Sequence, residues 1–359
     1  MKLFLRLLEQ HERGRRWPSP LCFFSWKKRR HQNKAGPDTR DAAVLAPLRS
    51  FAFDNRSAKI QILLAICRAK YYDDSGGCKL ICKSEKIRTR AAAPNRVALI
   101  MEDCYMKYDV FCVGEMVIDF TPGKEPNSYI ANPGGAPANA AIAVSRLGRK
   151  SAFCGMLGAD AFGDLLQKTL EENGVYAACQ RRCSQAVTTL AFVSLTPSGE
   201  RSFTFARKPG ADMFLEPSDI DDALLRESRI VHAGSCSLSK GAACEATKYA
   251  MRRAKELGKL VSFDINYRDL LWDGDRENAQ AAVTKAFADI DLLKLSDEEE
   301  MFIGGWENVE AVMCENKIAL AVMTRGAGGA EAVWNGRHFS VPGRKVPVAD
   351  TNGAGDAFW

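Results

Sequence analysis

The chain has 359 residues, 46% hydrophobic and 26% charged, the balance of an ordinary folded protein with room for one large or two modest domains. Its net charge of +6 hides a split: residues 1–105 hold 22 Lys and Arg against 10 Asp and Glu, and residues 106–359 hold 28 against 34. No run approaches the roughly 18 apolar residues of a membrane span, and Glu9, Glu12 and "KKRR" at 27–30 spoil a secretory leader.

Residues 1–105 show no sustained period of 2 or 3.6. Basic stretches such as "ERGRRWPSP", "SWKKRRHQNK" and "KSEKIRTRAAAPNR" suit either an arm for nucleic acid or acidic surfaces, or an extension that is disordered or not native. The extension is the expectation, because no folded nucleic-acid module can be placed there. Met106, which runs straight into a strand, is a credible start. The 12 cysteines form no zinc-site pattern: Cys78/Cys82 and Cys179/Cys183 are isolated C-x3-C pairs, and Cys112 and Cys154 lie in apolar runs. Free, reduced thiols in a cytoplasmic protein are expected.

From Met106 strands and helices alternate. "YDVFCVGEMVIDF" reads as a strand broken at Gly114, and "APANAAIAVSRLG" as an amphipathic helix with a glycine stop at Gly148. "KSAFCGMLG" is a strand and "AFGDLLQKTLEENG" a helix. "LAFVSLTPSGERSFTFARK" alternates across a turn at 197–199, as a hairpin with one exposed face does. "SRIVHAGS", "KLVSFDINY", "DIDLLKLS" and "IALAVMTRG" are short strands, several separated by helices such as "GAACEATKYAMRRAKELG". The pattern predicts an α/β fold with a mostly parallel sheet and helices on both faces. Ligands bind such sheets beyond the carboxyl ends of the strands, so the polar residues following each apolar run are the candidates.

Five stretches qualify. Asp119, in "GEMVIDF", lies near a strand end, where an aspartate serves either as a cap or turn residue or in a site. In "NPGGAPANAA", Gly134 and Gly135 allow close backbone approach before a helix, and Asn139 brings a group that both donates and accepts. In "SFDINYRDLLW", Asp264, Asn266 and Arg268 alternate past a strand, and Arg268 suits either a carboxylate or a phosphate. "KLSDEEE" puts acids after the next strand, either as a helix start favoured by the dipole or as a Mg²⁺ organiser acting through water. In "ADTNGAGDAFW", Gly353, Ala354 and Gly355 can turn N–H groups to one point, an anion site. Asp356 would repel a bound phosphate unless it serves as base for the hydroxyl that attacks it. No Gly-Lys-Ser/Thr follows, so the loop is not a Walker motif.

With "GGAPANAAIAVSRLG" and "DTNGAGDAF" as two signatures, residues 106–359 resemble the PfkB (ribokinase-like) carbohydrate kinases. "GEMVIDFTP", "FARKPGADMFL", "HAGSCSLS" and "FDINYRDLLW" look most like bacterial fructokinases. The resemblance implies a ribokinase-like three-layer core with a small β lid, built here from strands around 117–131 and the 190–207 hairpin. It implies that Asp119, Gly134, Gly135 and Asn139 hold sugar hydroxyls and that Arg207 reaches the sugar from the lid. Asp356 becomes the base, Gly353, Ala354 and Gly355 the anion hole, and Arg268 a neighbour of the transferred phosphate. Thr324, Gly326 and Gly329 match the nucleotide-side T-x-G-x-x-G. ATP and Mg²⁺ are the implied cofactors, with Glu299 near the metal through water, a monovalent cation as a further candidate, and a homodimer formed through the lid.

This chain departs from the family at Ser296, where Asn is usual in N-x-x-E, at Ala206, where an aromatic is frequent, and at Asn352, where Thr is frequent. Only Ala357, Phe358 and Trp359 follow Asp356, which is expected to be too few for a helical turn. The expectation is therefore an ATP-dependent fructose kinase lacking its C-terminal part and inactive alone. Kinases of 2-keto-3-deoxygluconate, another sugar or a nucleoside, and a non-catalytic sugar-binding fragment, remain alternatives.

Overall fold

The computed structural model describes residues 106–125, 127–195, 201–344, 346 and 353–359. The basic extension, the turn at 197–199 and the 350–352 part of the final motif lie outside the described residues.

The first apolar run supplies two strands. β1 (Tyr108–Val113) is buried along nearly its whole length, while β2 (Val117–Pro122) becomes increasingly exposed, and Gly114 separates them at the point where the chain changes sheets. β3 (Tyr129–Gly134) returns antiparallel to β2 and leads into helix α1 (Ala136–Arg146). Next come β4 (Ser151–Cys154), the short β5 (Leu157–Gly158), and α2 (Ala161–Glu172), whose first turn is capped by Asp160 accepting from the Gly163 N–H at 2.8 Å. β6 (Tyr176–Ala177) and β7 (Arg182–Cys183) are single pairings, and β8 (Leu190–Leu195) with β9 (Arg201–Ala206) make the expected hairpin. A short α3 (Asp222–Arg226) precedes β10 (Ser228–Gly234), α4 (Ala242–Glu256), β11 (Leu260–Asp264), α5 (Arg276–Ala286) and β12 (Leu292–Ser296). α6 (Val309–Asn316), β13 (Leu320–Thr324), β14 (Gly329–Trp334), β15 (Arg337–Pro342) and α7 (Ala354–Phe358) follow.

The main sheet has nine strands in the order β15-β14-β13-β12-β11-β10-β1-β4-β6, parallel from β6 through β13, with β14 and β15 antiparallel at one edge. The period of two in β1 divides the core. Val110 and Cys112 pack with Ala138, Ala141 and Val144 of α1 and Leu166 and Leu170 of α2. Phe111 and Val113 face the other way, into a layer containing Ala246 and Ala250 of α4 and Val283 of α5. Both faces of the parallel strands are thus covered, the condition under which such sheets occur. The second sheet, β3-β2-β8-β9, comes from the two stretches expected to form the lid. The seven cysteines among the described residues are free thiols, and no described helix is long and apolar enough to cross a membrane.

One expectation fails. The residues after Asp356 do complete a turn: α7 spans Ala354–Phe358, with the Ala357 N–H on the Gly353 carbonyl at 2.9 Å and the Trp359 N–H on that of Gly355 at 3.3 Å. The nucleation cost that disfavours an isolated turn is offset here by anchors elsewhere in the fold. The Trp359 indole donates to Ser262 Oγ at 2.7 Å, and Asp356 is held by two amides.

Gly135 governs how α1 enters. Its φ is 105°, and a Cβ there would sit 2.5 Å from the Glu115 carbonyl and 2.9 Å from Met116 Cα. Gly135→Ala is expected to destabilise the protein by at least the 1–3 kcal/mol or so of positive-φ strain, read as a lowered urea midpoint at unchanged slope.

Candidate active site

The carboxyl ends of β1, β10, β11, β12 and β13 open on one side of the sheet, and the polar residues that follow them converge there. Asp356, in the only turn of α7, is held from two directions. Asn139, one turn into α1, donates its Nδ2 to Asp356 Oδ2 at 2.8 Å. Asn266, two residues past β11, donates to Oδ1 at 3.1 Å. Gly353 opens α7 at φ 65°, and a Cβ on it would face the Asn139 amide at 3.5 Å. The loop signature and the N-terminal signature thus meet in one hydrogen-bonded unit.

Asp119 approaches from β2. A Cβ on Gly134 would lie 2.3 Å from Asp119 Oδ2, so the glycine lets that carboxylate lie across the end of β3. Burial pushes the Asp119 carboxyl up to about 6, opposed by the positive charge of Arg268 and reinforced by the negative charge of Asp356. These three charges therefore share one electrostatic environment. Arg268 itself is exposed, with Nη1 donating to the Tyr267 carbonyl at 2.8 Å.

Arg207 is placed differently from expectation. It is 8% exposed; its Nε donates to Asp212 Oδ2 at 2.8 Å and its Nη1 to Ser239 Oγ at 3.1 Å. Thr189 Oγ1 donates to the other oxygen of Asp212. The guanidinium ties the end of β9 to the body of the domain, and those hydrogen bonds do not point it at Asp119 or Asp356.

On the other side of the opening, Glu299 is 6% exposed, and its oxygens accept from the backbone N–H of Tyr267 at 2.6 Å and of Ser296 at 2.8 Å. Ser296 and Glu299 form a reciprocal capping box, so Ser296 has a defined task where the family usually has Asn. Thr324 pairs in register with Ser296 across β12 and β13, and its Oγ1 reaches the Leu295 carbonyl at 3.4 Å. Of the two glycines marked for the nucleotide, Gly326 has open space around its α-carbon. Gly329 is enclosed, since a Cβ would meet the Val341 carbonyl at 2.0 Å. Among the described residues no group of three or more His, Cys, Asp or Glu could hold a metal. An ion here would keep much of its water and its phosphate ligands, as Mg²⁺ does. The lone pairs that Glu299 has left over suit a water of that shell.

Two functional neighbours escaped the sequence reading. Lys294, 4% exposed in β12, pairs with Asp264 at 2.8 Å, and a Cβ on Gly355 would lie 3.2 Å from its Nζ. The signal was a lysine flanked by Leu293 and Leu295 in an apolar run. Glu115, two residues past β1, is 6% exposed and accepts the Ala136 N–H at 3.2 Å, steadying the start of α1. Burial pushes its carboxyl up to about 7. Beneath the site, burial pulls His232 down to about 4, and its Nδ1 lies 3.0 Å from the Ser262 hydroxyl that also receives the Trp359 indole.

Comparison with known proteins agrees with this geometry. The pattern of the pfkB family carbohydrate kinase matches residues 107–359. Probable fructokinase-6, chloroplastic, of Arabidopsis thaliana is 40% identical over 260 residues, covering 69% of this chain and 67% of that protein. The crystal structure of fructokinase with bound ATP from Xylella fastidiosa superposes with a TM-score of 0.65 at 38% identity, covering 69% of this chain and 78% of that one. The fructokinase of Vibrio cholerae O395 in its fructose, ADP and calcium ion bound form gives 0.64 at 37% identity, covering 69% and 80%. The chain belongs to the pfkB family of carbohydrate kinases.

Glu115 yields a pH prediction. A carboxyl whose folded pKa is raised to about 7 adds stability at low pH that is lost as pH rises from 4.5 through 7. At pH 8 the loss is on the order of 3 kcal/mol. Glu115→Gln carries no such loss, so its stability relative to wild type should improve between pH 5 and pH 8 in urea unfolding.

Proposed function

We propose that this pfkB-family kinase transfers the γ-phosphoryl group of ATP to a hydroxyl of fructose, giving fructose 6-phosphate and ADP. The observation that carries the reading is the Asp356 carboxylate at the first turn of α7, fixed by Asn139 and Asn266 beside Asp119. The relatives, which are fructokinases with related folds, support fructose as acceptor.

Fructose lies between the lid and the strand ends, with Asp119 and Asn139 taking its hydroxyls and Gly134 and Gly135 leaving room for it. Asp356 accepts the proton of the attacking hydroxyl as the new O–P bond forms and the bond to ADP breaks. The N–H groups of Gly353, Ala354 and Gly355 face the negative charge of the phosphoryl oxygens, and Arg268 flanks them from the β11 side. Thr324 and Gly326 border the nucleotide. Gly329 shapes that loop by letting it close against β15. Arg207 serves the lid through Asp212 and Ser239. Mg²⁺, held by the phosphates and through water at Glu299, would neutralise phosphate charge.

Asp356→Asn is expected to lower kcat by about 10²–10⁴-fold while fructose affinity by calorimetry stays within about threefold. Wild-type turnover retained by this variant would remove Asp356 as the base. A coupled ADP-release assay over fructose, 2-keto-3-deoxygluconate, other sugars and nucleosides tests the acceptor, and a higher kcat/KM for any of the others would replace fructose. With the Asp119 carboxyl at about 6, protonation below that pH removes an acceptor for sugar hydroxyls. KM for fructose should therefore rise as pH falls below 6, and Asp119→Asn should lose that rise.

A further inference from the structure

Two polar groups remain without a part in the transfer just described: Asp264 at the end of β11 and Lys294 within β12. Lys294 and Asp264 are 4% and 2% exposed, with Nζ 2.8 Å from Oδ2. Burying such a pair is weak evidence of stability, because the desolvation of two charges absorbs most of their attraction. An apolar residue at 294 would suit the strand better, since Leu292, Leu293 and Leu295 are all buried.

What the pair offers is geometry. Asp264 Oδ2, fixed by the ammonium, also faces the Asn266 Nδ2 at 3.5 Å, and the same nitrogen donates to Asp356 Oδ1 at 3.1 Å. An ionised carboxylate can only accept. With an acceptor on each side, the Asn266 amide must present its nitrogen between them and its oxygen elsewhere. The backbone of Asn266 has φ 41°, uncommon for a residue with a side chain, and Cys236 Sγ donates to its carbonyl at 3.2 Å. A conformation of this kind persists where its surroundings over-determine it, as they do at functional sites.

Resting on Asp356 as the base, we propose that Lys294 and Asp264 are positioning residues for the transfer, acting through Asn266. The ion pair orients the Asn266 amide, and the amide sets the plane of the Asp356 carboxylate opposite Asn139. Lys294 touches neither sugar nor nucleotide in this account.

Asn266→Gly isolates the amide, since glycine keeps the positive φ. Four proteins form the test: wild type, Asn266→Gly, Lys294→Met and the double variant. Each single change should lower kcat about 10- to 100-fold with KM for fructose within about threefold. The double variant should be no slower than the slower single, because Lys294 has nothing left to act on. Multiplying losses in the double variant, or unchanged kcat in Lys294→Met, would overturn the proposal. If Lys294→Met does not fold, the isosteric Asp264→Asn enters the same cycle with the same expectation. The link is also read without turnover, in the ¹⁵N–¹H resonances of the Asn266 side-chain amide, which should shift in Lys294→Met and in Asp356→Asn alike. If wild type does not phosphorylate fructose, the acceptor assignment falls, and this resonance still decides the positioning chain: no shift in Lys294→Met sinks it.

Discussion

Everything at this site depends on one carboxylate being gripped by two side-chain amides that reach it from different parts of the chain. Asn139 lies 217 residues before Asp356 and Asn266 lies 90 before it. The grip exists only if α1 enters at the right angle and β11 ends at the right height beside β12. The first condition rests on Gly135, whose close approach to the β1–β2 crossover admits no side chain, and on Glu115, which holds the first N–H of α1. The second rests on a parallel register in which Asp264 lies opposite Lys294. A loop and a single helical turn thereby acquire definition that neither has by itself.

The buried charges share a pattern. Lys294 with Asp264, and Arg207 with Asp212, are pairs almost closed to solvent. Pairs of this kind add little net stability, and losing one partner is severe. Their value lies in fixing direction. One pair sits behind Asp356 and the other ties β9 to the segment after it, so each of the two sheets is anchored by a charge pair. The segment after β12 relies instead on backbone hydrogen bonds, through the capping box of Ser296 and Glu299.

Much of this was legible in the sequence, for identifiable reasons. Short apolar runs alternating with amphipathic helices specified a parallel sheet, and glycines beside polar residues marked the two loops that meet at Asp356. Asn139 was legible as a candidate site residue, yet its hydrogen bond to Asp356 was not, because nothing local connects positions so far apart. Arg207 was expected to reach the sugar only through the family resemblance, and its pairing with Asp212, five residues on, had no signal in the sequence. The turn after Asp356 was underestimated because helix nucleation was weighed without the tertiary bonds of Asn139, Asn266 and Trp359. Lys294 was hidden by its neighbours: within an apolar strand a lysine reads as an irregularity until its buried carboxylate is seen.

The central claim is that a sugar hydroxyl positioned at Asp356 takes the γ-phosphoryl group of ATP. The most direct measurement is ³¹P NMR of the protein incubated with fructose, ATP and Mg²⁺. The account predicts a sugar phosphate ester resonance, assignable to the 6-position, growing in step with ADP and absent without fructose. ADP accompanied by inorganic phosphate alone, or an unchanged ATP spectrum, would contradict it.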